Sequence, residues 1–121
     1  MKNRLACIAV VAVMASTSVV AAHPLPKATS PAPNAVLTTS PSEIRMTFSE
    51  PLVAAFSGLE LKTQAGAPVA IGASAVDRKD KRQLFAPVTA ALAEGTYTVN
   101  WRAVAADTHH VAGHFSFQVK P

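Results

Sequence analysis

Cysteine is nearly missing from this chain of 121 residues: Cys7 stands alone, and nothing after it can form a disulfide, a thiolate metal site or a cysteine nucleophile. Methionine is equally scarce. Beyond Met14 only Met46 remains, so a site built from several thioethers is excluded. Aromatic residues make up 6% of the chain, too few for a broad stacking platform. Charge is also thin, at 15% of residues. Setting aside Lys2 and Arg4, nine basic residues face seven acidic ones, which is too mild an excess for a nucleic-acid or anionic-membrane binder. The one apolar run, Leu5 to Met14, is too short to span a bilayer and is broken by Ser16-Thr17-Ser18.

That run has a different reading. Lys2 and Arg4 precede it, small residues follow, and Val20-Ala21-Ala22 offers a small-x-small cleavage site. Residues 1–22 are therefore expected to be a secretory signal peptide, leaving residues 23–121 as a single domain that begins at His23. Cys7 lies too early, with Arg4 where an aliphatic residue is wanted, to mark a lipoprotein.

From Pro24 to Pro41 the chain is rich in Pro, Ala, Ser and Thr. Its prolines remove amide donors, so this segment reads as an extended lead-in with a turn near Pro33-Asn34. Alternation then takes over. Ile44, Met46 and Phe48 share one face of a strand that Ser49-Glu50-Pro51 ends. Leu59 to Thr63 forms a second strand, and Val69 with Ile71 a third. Residues 52–57 fit an irregular or helical turn. The charged run Asp77 to Arg82 reads as a wet loop, and Pro87 assigns Leu84 to Val88 to an edge or bulge. Tyr97, Val99 and Trp101 alternate on one strand; Phe115, Phe117 and Val119 alternate on the last. Short strands, regular turns and no convincing helix predict an all-β Greek-key sandwich or barrel.

The chemistry lies in four histidines, His23, His109, His110 and His114, and in Asp107. In an extended segment Asp107 and His109 face the same way. As a first residue, His23 offers an α-amine and an imidazole to one ion. Pro24 has no N–H to lose, so chelation by successive backbone amides stops at once. The remaining ligands must come from elsewhere in the fold. His23, His109 and Asp107 together supply three nitrogens and one oxygen, a set suited to Cu(II) in tetragonal geometry. Glu50 is a candidate to orient the amine or bind weakly. His110 and His114 have the opposite parity to His109 and read as surface residues, or as extra ligands if a bulge near Gly113 changes their facing.

Several stretches resemble the periplasmic copper-resistance CopC family: His23-Pro24, Thr29 to Pro33, Met46-Thr47-Phe48-Ser49-Glu50, Phe56-Ser57-Gly58, and Gly95 to Val104 running on to Asp107-Thr108-His109. The resemblance implies a cupredoxin-like, Ig-like fold, periplasmic location, and Cu(II) bound by His23, Asp107 and His109, with Glu50 nearby. It also implies a carrier or buffer in copper resistance or uptake, with an inner-membrane transporter of the CopD type as partner. The protein is then expected to be a monomer and not an enzyme. Some relatives carry a methionine-rich Cu(I) loop, but Thr63 to Val76 contains neither methionine nor histidine, which points to a Cu(II)-only member. Two other readings make different demands. A copper monooxygenase, whose N-terminal histidine chelate is similar, needs an open coordination position and exposed aromatics. A metal-free adhesive sandwich needs no ligands at all.

Overall fold

The computed structural model describes residues 23–121, so the expected signal peptide lies outside the described residues. Among these residues the chain forms two packed sheets. The first runs β1 (Pro26–Ser30), β3 (Glu43–Phe48), β7 (Gln83–Pro87), β6 (Ala75–Val76). The second runs β2 (Val36–Leu37), β9 (His110–Val119), β8 (Gly95–Val104), β4 (Gly58–Thr63), β5 (Pro68–Val69). Strand pairs are antiparallel except β2 with β9. The chain changes sheet repeatedly, as the Greek-key expectation requires, and the two separate sheets make it a sandwich. Residues 54–56 form a turn of 3-10 helix, the one helical turn among the described residues.

Alternation works because one face of each sheet is buried. Ile44, Met46 and Phe48 from the first sheet meet Leu61, Val99, Trp101, Phe117 and Val119 from the second. Trp101 packs edge to face on Phe48, with ring centroids 5.3 Å apart. Gly113 lies opposite Trp101 on the neighbouring strand, and a Cβ there would come within 2.6 Å of the indole. The sheet has left this position bare for the indole to lie across.

Two strand readings change. β7 is an interior strand, not an edge: Pro87 stands at its end, where β6 no longer reaches, so no ladder bond is lost. The third expected strand shrinks to Pro68–Val69, and Ile71 sits in the following loop. The lead-in does more than expected. β1 and β2 form edges of the two sheets, and the turn at Pro33-Asn34 places Asn34 at φ 63°.

The charged loop after β6 is wet, and one of its residues is also tied to the outer face of the first sheet. Arg45 donates to Glu43 at 2.9 Å, to Asp77 at 3.2 Å and to Gln83 at 2.7 Å, and lies 4.5 Å from the Phe85 ring centroid. The backbone N–H groups of Lys79 and Asp80, followed by Arg45, hold the Asp77 carboxyl below its ordinary range. A depressed carboxyl stabilises the fold fully above its unfolded value of about 3.9 and loses that contribution as pH falls through the folded value. Asp77→Asn should therefore be less stable than the parent at neutral pH, with the two converging in acid. Urea midpoints measured between pH 7 and pH 2 check this; a constant gap would contradict it.

Candidate metal centre

At one end of the sandwich, β8 and β9 are joined by a tight connection, residues 105–109. Ala105 N–H bonds the His109 carbonyl at 3.1 Å and Thr108 N–H bonds the Ala105 carbonyl at 2.9 Å. The segment is thus a turn and not extended. Thr108 has φ 72°, a left-handed conformation uncommon for a β-branched residue. Asp107 and His109 still come together, through this turn rather than through strand parity. One Asp107 carboxylate oxygen accepts the His109 backbone N–H at 3.2 Å, and the other meets His109 Nδ1 at 2.9 Å. The backbone N–H is the main cause that holds the Asp107 carboxyl below its ordinary range, with the ring contact adding to it against some desolvation. Asp107 thereby stays ionised and fixes the imidazole. The contact holds the carboxylate and the ring nitrogen close enough for one ion, which would take the place of the proton between them.

His23 reaches the same place from the other end of the sequence. Its ring lies edge to face with that of His109, centroids 4.6 Å apart. His23 is exposed, whereas Pro24 behind it is fully buried. Glu50 follows β3 and shares a shallow cleft with Pro51, Ala105, Ala106 and Asp107. The isolated bridge between Leu52 and Ala105 holds that segment against the base of the turn.

The structure therefore gathers His23, Asp107 and His109, with Glu50 alongside. The other two histidines go elsewhere. His110 and His114 lie exposed on β9 with Ala112 between them, on the face away from the core. They are separated by about 13 Å of strand, too far to share an ion. His114 is paired across the sheet with Asn100. Arg102 stretches its guanidinium over Gly58 and, among the described residues, makes no ion pair.

Among the described residues, no three His, Cys, Asp or Glu side chains already point at a common centre. The two imidazole rings lie close together, and their edge-to-face arrangement must rotate for both to bind one ion. His23 and Asp107 are exposed and His109 is partly so, and side chains of this kind change rotamer freely without moving the backbone. The residues fit copper in donor chemistry and proximity, and the ion would complete the geometry. A larger open groove of about 370 Å3, along β4 and Pro68 to Ser74, contains only Glu60 among such donors.

Sequence reasoning passed over Ser49. Its Oγ accepts the Leu25 N–H at 2.9 Å and donates to the His23 carbonyl at 3.2 Å. A serine at a strand end carries no signal of its own; only the register between β1 and β3 reveals what it touches.

The model of the CopC domain family matches residues 26–120. The chain belongs to the CopC family. The family match includes Glu50, Asp107 and His109 and starts just after the His23-Pro24 pair. Copper resistance protein C of Xanthomonas campestris pv. juglandis is 36% identical over 116 residues, 92% of this chain and 90% of that protein. Protein YobA of Escherichia coli K12 is 36% identical over 90 residues, 74% of this chain and 73% of its own. The crystal structure of PcoC, a methionine-rich copper resistance protein from Escherichia coli, superposes with TM-score 0.74 at 35% identity, over 82% of this chain and all of that one. CopC from Methylosinus trichosporium OB3b gives TM-score 0.76 at 25% identity, over 82% and 95% of the two chains. These two solved structures thus share the fold of the sandwich.

Proposed function

We propose that this chain is a periplasmic Cu(II)-binding protein, a carrier or buffer in copper resistance or uptake. In this reading, cleavage after Ala22 frees residues 23–121, and the new α-amine and ring of His23 bind Cu(II) together with His109 and Asp107. Glu50 assists from the adjoining cleft, and an inner-membrane transporter of the CopD type exchanges the metal. The observation that carries the reading is the meeting of His23 and His109, at opposite ends of the domain, with rings 4.6 Å apart and Asp107 hydrogen-bonded to one of them.

Cu(II) is favoured over Cu(I) by what surrounds the site. The donors are nitrogen and oxygen, which suit Cu(II), whereas Cu(I) prefers sulfur. Met46 is 1% exposed in the core, and no methionine lies between Thr63 and Val76. A metal bound only by the native state must raise its stability. At a free Cu(II) concentration about a thousand times the Kd the gain is about 4 kcal/mol. For a domain of this size that corresponds to a melting temperature higher by about 15–30 °C. Thermal melts of protein beginning at His23, with and without Cu(II), test this. An unmoved melting temperature would favour the metal-free adhesive sandwich.

A further inference from the structure

We propose that Ser49 is the residue that positions His23 for copper, acting as a side-chain latch where the sheet can no longer hold the chain. This rests on the Cu(II) reading above. The ladder between β1 and β3 extends as far as the Ser49 N–H, which bonds the Leu25 carbonyl at 2.8 Å. Beyond that point both segments carry proline. Pro24 has no N–H to give on one side and Pro51 none on the other. An ordinary edge strand would fray here, and His23 would swing free.

The Ser49 hydroxyl replaces the missing rungs. It accepts from Leu25 N–H at 2.9 Å and donates to the His23 carbonyl at a longer 3.2 Å. One side chain therefore grips the backbone on both sides of Pro24. The Pro24 ring is buried between those grips, among the most enclosed side chains of the domain. Tethering through the carbonyl leaves the α-amine and ring of His23 unencumbered. Both are free to face His109, which is what a chelating first residue requires. The next residue, Glu50, lines the cleft with Asp107, so the same strand end serves both sides of the site.

The latch consists of two solvent-exposed hydrogen bonds of modest net strength. Their loss should weaken Cu(II) binding by about tenfold or somewhat more. Most of the change should appear as faster release, because the arm carrying His23 opens more often. The experiment compares Ser49→Ala, Ser49→Thr and His23→Ala in protein processed to begin at His23. Affinity is read by competition with a chromophoric chelator, release by stopped-flow transfer to excess chelator, and the donor set by electron paramagnetic resonance. The expected result is about tenfold weaker binding and faster release for Ser49→Ala, the same nitrogen donors at saturation, and recovery with Ser49→Thr, which keeps the hydroxyl. If His23→Ala loses binding while Ser49→Ala keeps parental affinity and release, the latch is wrong and the site stands. A loss that threonine does not restore also overturns the latch. If His23→Ala itself binds like the parent, the Cu(II) site as drawn fails, and the latch with it.

Discussion

Adding one residue ahead of His23 should lower Cu(II) affinity by about 10²–10⁴-fold, as should His23→Ala. The effect is large because two of the four donors sit on one residue. Once the imidazole is bound, the amine of the same residue is held at a high effective concentration, and losing either half of such a pair forfeits that advantage. The two variants separate the halves. The extended protein keeps the imidazole beside His109, the Ser49 contacts and the buried Pro24, and loses only the free amine. His23→Ala keeps an amine and loses the ring. In His23→Ala, Pro24 leaves no following backbone amide to replace the lost ring. Chelator competition at fixed pH measures both. An extended protein that binds like the parent would show that the amine is not a ligand.

Trp101→Ala should produce the largest loss of stability, about 3–5 kcal/mol. Trp101 is the largest side chain of the core and is only 9% exposed. It fills the space between Phe48 and the bare backbone of Gly113, and neither neighbour can move in to close the gap. The same contact makes Gly113→Val unfavourable in the opposite sense, by overpacking, at about 1–3 kcal/mol. Trp101 lies on β8, whose far end leads into the Asp107 turn, so weakening this pair of strands also loosens the end that carries Asp107 and His109. Urea unfolding of the metal-free proteins gives the values. A loss below about 1 kcal/mol for Trp101→Ala would mean that the core collapses around the gap more readily than its packing indicates.

The strands that sequence reveals are those with one buried face. β3, β4, β8 and β9 alternate because burial selects every second residue. β1, β2 and β6 do not alternate: β1 is Pro-Lys-Ala-Thr-Ser and β2 and β6 are two-residue edges, so their strand character comes from the neighbour they pair with. Pro87 misleads for a related reason: proline is excluded from interior rungs, but Pro87 pairs with Glu43 and lies beyond the last rung shared with β6.

The candidate site was legible through its chemistry more than through its geometry. An aspartate and a histidine two residues apart, together with a histidine placed to become the first residue, pointed to an N,O metal set. The assumed strand parity was not the route by which they meet. Thr108 at positive φ turns the segment, and the Asp107 carboxylate closes on the His109 backbone and ring. Ser49 was illegible because its role depends on which rung of β1 stands opposite it, and that register follows from the folded pairing and not from any local pattern.

The proposed site holds one Cu(II) ion by the amine and ring of His23 together with His109 and Asp107. Titrating Cu(II) into protein that begins at His23, followed by electron paramagnetic resonance, tests it most directly. The expected result is a single tetragonal signal that saturates at one equivalent, carries nitrogen couplings, and changes when one residue is added ahead of His23. A signal no different from that of free copper, or one that the added residue leaves untouched, would contradict it.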